Sequence, residues 1–332
     1  MKPIDRPRKV KVDDLYPGMY VELPGSWIQH AFVRGSFLIR DNAQILKIKK
    51  SGITDVTFFP LKSTFRPELP SQPRYIKVEP QKKKWDPALM PDDFSAILKD
   101  ATVSPQKKSR YIYDASLDVM NKLLAEPSVD NITQFKEGVS EMVDHILVDD
   151  DTAGCLLNIT SHDYYTFTHS VNVGILSILL VKALYGQSRS HDLQELGAAF
   201  FLHDIGKVNV PEALINKPGR LSSEELQIMR DHPLNGYQIL SDTDHLSPES
   251  KIIVMQHHER HDGSGYPQGL AGDEIHVYGR ICSITDVFDA LTSKRSYKPA
   301  LPLFDALKVM KTEMVDHFSP ELFAEFISLF RK

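Results

Sequence analysis

Seven imidazole and carboxylate side chains in this 332-residue chain have the types that metal chemistry requires: His169, the pair His203-Asp204, His232, the pair His257-His258, and Asp286. Singly each has an ordinary reading, because one histidine on a helix is more often a hydrogen-bonded structural residue than a ligand. Together they read differently. Most fall inside or at the ends of apolar stretches, where an unpaired polar group is costly, and one shared metal site satisfies them all. Five imidazoles and two carboxylates with no thiolate suit iron, manganese, zinc, nickel or cobalt better than a structural four-cysteine zinc site. Seven donors exceed what one tetrahedral ion takes. The set therefore predicts two divalent transition-metal ions that share a bridging carboxylate, about 3.5–4 Å apart. Water held between two such cations loses its proton near neutral pH, so the expected chemistry is attack by a hydroxide at phosphorus.

Helices must carry these donors. Phe167 to Tyr185 and Asp192 to His203 have apolar residues at three- and four-residue spacing. Ser222 with Glu225 has the form of a capping box, and Ser247-Pro248 and Ser319-Pro320 each put a capping residue before a first-turn proline. The run IIVMQ predicts a helix that ends at His257, and the stripe of Leu322, Phe323, Phe326, Ile327 and Phe330 reads as core. The expected fold is mainly α, with an all-helical bundle of about six to eight helices over 111–332. Before it stand a small α/β or β-rich domain at 1–66, where MYVEL and SFLIR have strand composition, and a Pro/Lys-rich linker at 67–110.

Composition narrows the class. The chain is 42% hydrophobic and 25% charged, as in ordinary globular proteins. Its net charge of −5 is uneven: residues 1–110 hold 21 basic against 12 acidic side chains, and the rest hold 18 against 32. Cys155 and Cys282 are too few and too far apart for a disulfide framework, and both are expected to be buried, inert thiols. The N-terminus lacks the apolar core of a signal peptide, and the longest apolar run, VNVGILSILLV, is short for a bilayer. A cytoplasmic protein with no membrane span is expected.

The stretch HHERHDGSGYP from His257 is similar to the signature of the HD-GYP subgroup of HD-domain phosphohydrolases, and FLHDIGKVNVPEALINKPGRLSSEE resembles that family's HD segment. YTFTHSVNV, MRDHPLNGYQIL and ITDVFDALTSKRSYKPAL fit the same pattern in the same order, so the resemblance covers about residues 130–332. It implies metal-dependent hydrolysis of cyclic di-GMP to pGpG, and in many members on to GMP, through a metal-bridging hydroxide. It also implies His169, His203, Asp204 and Asp286 on one metal, and Asp204, His232, His257 and His258 on the other, with Asp204 as the bridge. Lys207 is then placed to touch a phosphate oxygen or protonate the leaving group, and Arg295 and Lys298 match phosphate contacts. Tyr266 is a candidate guanine contact, and Asp262 a loop anchor. Some members add a glutamate four residues before the first histidine for a third metal. Here that residue is Tyr165, so two ions are expected, and Asp289 becomes either a support for a ligand or a helix-surface acid.

The N-terminal stretch from VDDLYPGMYVEL to DVTF resembles an uncharacterised domain often found before HD-GYP domains. Its scattered lysines lack interleaved aromatic residues, which argues against a nucleic acid polymer and for regulation, a protein partner or self-association. Two other functions stay open: a catalytically slow or silent cyclic di-GMP sensor acting through partners, and a hydrolase of another cyclic dinucleotide.

Overall fold

The computed structural model describes residues 8–12, 15, 19–24, 35–40, 42–59, 90–159, 166–186, 191–243, 246–294 and 299–331. The chain divides into two compact units, Met1–Tyr75 and Ile76–Lys332.

In the first unit four strands, β1 (Arg8–Lys11), β2 (Tyr20–Glu22), β3 (Ser36–Leu38) and β4 (Asp55–Phe58), form an antiparallel sheet in the order β1-β4-β2-β3. Val10 pairs with Val56, and Val21 lies between Phe58 and Phe37. Helix α1 (Asn42–Lys50) supplies Ile45 and Ile48 to a core that also holds Val21, Ile39, Val56 and Phe58. This is the small α/β module expected from the strand composition of MYVEL and SFLIR.

Thirteen α-helices are described in the second unit: α2 (Phe94–Lys99), α3 (Pro105–Ala125), α4 (Val129–Val148), α5 (Asp150–Leu157), α6 (Thr166–Tyr185), α7 (Leu193–Phe201), α8 (Glu212–Ile215), α9 (Ser223–Arg230), α10 (His232–Thr243), α11 (Pro248–Gln256), α12 (Val277–Thr292), α13 (Leu303–Glu313) and α14 (Pro320–Ser328). The bundle is all-helical as expected but more finely divided than six to eight helices, because several are only one to three turns long. The expected linker also ends too late. Phe94 and Leu98 of α2 are buried in the helical core, and Ser104 caps α3 ahead of Pro105, so residues 94–110 belong to the bundle.

Helix α6 runs through the middle, and every residue from Thr168 to Val181 is buried. Apolar side chains on all its faces are what a fully surrounded helix requires. Its 20 residues are long and apolar enough to cross a membrane by length and composition, contrary to the expectation from VNVGILSILLV alone, but 78% of that window is buried within the protein. Its two sides separate two core clusters. Val171, Ile175 and Ile178 join one with α3 and α4, and Val173, Leu176 and Leu180 join the other with α12 and α14. The capping box of Ser222 and Glu225 forms, as does the Ser247 cap of α11, each worth about 1 kcal/mol. The stripe on α14 enters the core through Leu322, Phe323 and Phe326. Cys282 is buried, whereas Cys155 is only half-buried, because α5 lies at the outside of the bundle.

Candidate metal centre

The donors arrive from five helices: His169 from the first turn of α6, His203-Asp204 just past α7, His232 at the start of α10, His257-His258 at the end of α11, and Asp286 from the middle of α12. Three of these histidines share one local device. Each follows a helix end and turns its ring back so that Nδ1 donates to the carbonyl three residues earlier: His203 to Phe200 at 2.9 Å, His232 to Met229 at 2.7 Å, His257 to Val254 at 2.8 Å. Carbonyls in the last turn of a helix lack the usual partner four residues on, so each has a lone pair to offer the ring. A carbonyl can only accept. Nδ1 therefore carries the proton, and Nε2 is left as a lone pair. His169 reaches the same tautomer by donating Nδ1–H to Asp289 Oδ2 at 2.6 Å.

These four lone pairs converge on Asp204. Its Oδ1 lies 3.1 Å from His232 Nε2 and 3.6 Å from His257 Nε2, and its Oδ2 lies 3.4 Å from Nε2 of both His169 and His203. The Nε2 atoms of His232 and His257 are 3.1 Å apart, those of His169 and His203 3.4 Å. All five residues are at most 1% exposed. Lone pairs so close, away from water and beside a carboxylate, repel one another unless positive charge lies among them. Asp204 Oδ1 is buried with no hydrogen-bond donor, which is the orphan such a charge would satisfy. The donor atoms of Asp204, His232, His257 and His258 lie within 4.8 Å of one another, as do those of His169, His203 and Asp204. Asp286 faces both groups, with Oδ1 3.1 Å from His169 Nε2 and Oδ2 3.4 Å from His258 Nδ1. The clustered imidazoles and carboxylates make this a divalent-metal centre, and all seven residues singled out in the sequence meet in it.

Electrostatics keep the donors in their binding forms. Burial pushes His232, His257 and His258 below the ordinary imidazole range, so they stay neutral. Burial alone would raise the Asp204 carboxyl, but the Lys207 ammonium outweighs it and holds the group well below the usual carboxylate range. Asp286 is likewise held low, against its burial, by the imidazoles of His169 and His258 beside it. The Lys207 ammonium rests on Asp204 Oδ2.

Two supports were not visible in the sequence, and a third, Asp289, was one of two alternatives there. Gly206 is the second residue of the 3-10 turn after Asp204, where a methyl would lie 1.9 Å from the His232 carbonyl oxygen and 2.4 Å from Gly236 N, so only glycine lets the Asp204 segment touch α10. Glu259 is 1% exposed, and its carboxylate accepts from the backbone N–H groups of Gln268 (2.6 Å), Gly269 (3.1 Å) and Leu270 (2.9 Å), closing the loop that follows the histidine pair. Asp289 is buried and supports His169, so the surface alternative for it is wrong. A hint was available for Asp289, since position i+3 on a helix shares a face with Asp286. In the same loop Asp262 Oδ1 accepts from Ser264 N at 2.9 Å, the expected anchor, and Gly265 passes so close to Glu259 and Arg260 that a Cβ would lie within 2.6 Å of their backbone. The Tyr266 ring stacks on His258 at 4.7 Å and carries the Arg230 guanidinium 5.2 Å from its centre. Burial, with Asp286 and Asp204 nearby, pushes its phenol far up, so it remains a protonated donor. Arg295, Lys298 and Tyr165 lie outside the described residues.

An HD domain family model matches residues 172–322, and a model for a domain of unknown function, DUF3391, matches residues 8–130. A protein named cyclic di-GMP phosphodiesterase from Pseudomonas aeruginosa is 31% identical over 96% of this chain and 76% of its own length. A cyclic di-GMP phosphodiesterase from Thermotoga maritima is 34% identical over 66% of this chain and 57% of its own. A 3′3′-cGAMP-specific phosphodiesterase from Vibrio cholerae is 35% identical over 54% of this chain and 40% of its own. The fold of an HDG"Y"P protein from Bdellovibrio bacteriovorus superposes with a TM-score of 0.62 at 19% identity, covering 98% of this chain and all of that one. The helical domain with its metal centre thus defines an HD-type phosphohydrolase. The chain belongs to the HD-GYP family of HD-domain phosphodiesterases.

Proposed function

We propose that this chain hydrolyses cyclic di-GMP to pGpG and on to GMP with two divalent transition-metal ions, iron or manganese. His169, His203, Asp204 and Asp286 would hold one, and Asp204, His232, His257 and His258 the other. The observation that carries this reading is Asp204, whose two oxygens each face a different pair of histidine lone pairs. When bound, such ions supply Lewis acidity at phosphate and a nucleophile at neutral pH.

The chain's own groups do the rest. Helix-end carbonyls and Asp289 keep four imidazoles in the tautomer that points Nε2 inward. Hydrolysis consumes one water, breaks the bond between phosphorus and the 3′ oxygen, and requires a proton on that oxygen. Lys207, an ammonium already at Asp204, is the proposed donor of that proton or the partner of a phosphate oxygen. Tyr266 offers a phenol hydrogen bond beside His258. Arg295 and Lys298, which follow α12 in sequence, are proposed to grip the dinucleotide's phosphates. For cyclic di-GMP speaks the likeness to the Pseudomonas protein, which runs through nearly the whole chain.

The test is turnover by purified full-length protein reconstituted without oxygen in Fe²⁺ or Mn²⁺, offered cyclic di-GMP and 3′3′-cGAMP separately, with His203→Ala and Asp204→Ala as controls. Release of pGpG and GMP from cyclic di-GMP, lost in both variants, is the expected result. Faster turnover of 3′3′-cGAMP would move the substrate to the other cyclic dinucleotide. Tight binding without product in every metal form would make the chain a sensor.

A further inference from the structure

A buried line of hydrogen bonds runs from helix α3 to the metal centre. The Tyr113 hydroxyl donates to Asn172 Oδ1 at 2.8 Å, Asn172 Nδ2 donates to Asp289 Oδ1 at 2.7 Å, and Asp289 Oδ2 accepts from His169 Nδ1 at 2.6 Å. None of the four residues is more than 2% exposed. The amide can stand only one way round, because the flipped form would set its oxygen against the carboxylate. Ser293 Oγ, at 3.1 Å, also donates to Asp289 Oδ1, so that oxygen is occupied and Oδ2 is left for His169. Asn172 sits three residues after His169 on α6, one turn along the same face. The carboxylate that orients the ligand is thus held between two helices and steadied from a third.

The third helix gives the line its interest. Tyr113 lies within the stretch 8–130 matched by the domain of unknown function, yet α3 belongs to the helical unit and packs Ile112, Tyr113, Val119, Met120 and Leu123 into its core. Helix α2 is tied to it by the buried Lys108, whose Nζ donates to the Leu98 carbonyl at 2.7 Å. We propose that Tyr113 is a positioning residue for the metal ligand His169, acting through Asn172 and Asp289, so that the seating of α3 sets how strongly the centre holds its metal. This rests on the reading of His169 as a ligand. In a buried chain each bond polarises the next, and the phenol's donation strengthens the grip of the amide on Asp289.

The experiment is titration of the metal-free, full-length protein with Mn²⁺, followed by electron paramagnetic resonance, with thermal melts of the same metal-free samples. Removing a carboxylate partner of a metal-ligating histidine typically weakens metal binding about 10- to 100-fold, which is expected for Asp289→Asn. Tyr113→Phe, which removes one oxygen two bonds further out, should weaken it on the order of 3- to 10-fold. The double variant should bind as Asp289→Asn alone does, because the line is already cut. Ser116→Ala, which loses a buried hydroxyl on the same helix bonded to the Ile112 carbonyl, should leave affinity unchanged and controls for loosening of α3. His169→Ala separates the two levels. If it binds Mn²⁺ as the parent does, His169 is no ligand and the reading beneath fails. If it loses affinity while Tyr113→Phe keeps it, or while the two single losses add fully in the double variant, the positioning role is refuted and the ligand reading stands.

Discussion

Gly206→Ala should unseat a metal ligand without touching any donor. The methyl would meet two backbone atoms, the His232 carbonyl oxygen at 1.9 Å and Gly236 N at 2.4 Å, and neither can swing aside as a side chain can. Real Cβ contacts essentially never fall below 3.0 Å, so α10 and the Asp204 turn must separate by about 1 Å. His232 is the first residue of α10 and moves with it. Metal–ligand distances tolerate about 0.2 Å, so a shift several times larger takes His232 out of reach of an ion shared with Asp204. The strain of overpacking should cost about 1–3 kcal/mol, which for a unit of this size lowers the melting temperature of the metal-free protein by about 2–12 °C. Mn²⁺ affinity should fall at least about tenfold, as for other losses of ligand orientation. Gly154→Ala, on α5 where nothing lies within 4 Å of the new methyl, should change neither quantity for the worse. The assays are calorimetric metal titration and thermal melts on both variants. Unchanged Mn²⁺ affinity in Gly206→Ala would refute the link between this contact and the seat of His232.

Other outcomes follow from the same geometry. Glu259→Gln leaves one of three backbone donors facing an amide NH₂ instead of an oxygen and removes the buried charge, so it should cost about 2–4 kcal/mol and loosen residues 268–270; a urea midpoint equal to the parent's and unchanged amide exchange there would contradict this. Lys207→Met should keep the metal but lower kcat about 10²- to 10⁴-fold with a smaller change in KM; full activity in the metal-loaded variant would remove Lys207 from the chemistry. Acid should destabilise the metal-free protein in two stages. Because His232, His257 and His258 resist protonation in the fold, the unfolded chain binds more protons below about pH 6.5, and stability falls as pH drops from there. Asp204 and Asp286, held low in the fold, contribute stability above about pH 4 that is lost as pH falls further. A urea midpoint that stays flat from pH 7.5 to 5 in chelator would contradict the first stage.

The donors of this site were legible in the sequence because they are costly. A histidine or aspartate in an apolar helix must have a partner, and seven of them without obvious partners point to one another. The two-unit organisation was legible too, since strand-length apolar runs near β2 and β3 give way to helical spacing past residue 111. Less visible was where the helical unit begins. Prolines and lysines dominate residues 67–105, and the short apolar pattern of Phe94 and Leu98 is too brief to stand out, although both are buried. The helix count failed for a related reason: α8 and α9 are amphipathic only over one or two turns, and turns that short leave little periodicity to read.

The hydrogen bonds that make the donors into ligands lie at two ranges. For His203, His232 and His257 the decisive partner is the carbonyl three residues back, so the tautomer follows once the preceding helix is known to end there. For His169 the partner is Asp289, 120 residues away, itself braced by Asn172, which in turn accepts from Tyr113 across a gap of 59. Local rules can find the first kind, and only the fold brings together the second. An imidazole offers its lone pair to a metal only when its other nitrogen is held, so the strength of this centre is distributed over helices that carry no ligand at all. Helix α3 is the clearest instance: it lies in a stretch matched by a domain of unknown function, supplies none of the seven donors, and still contributes the hydroxyl at the far end of the chain that orients His169.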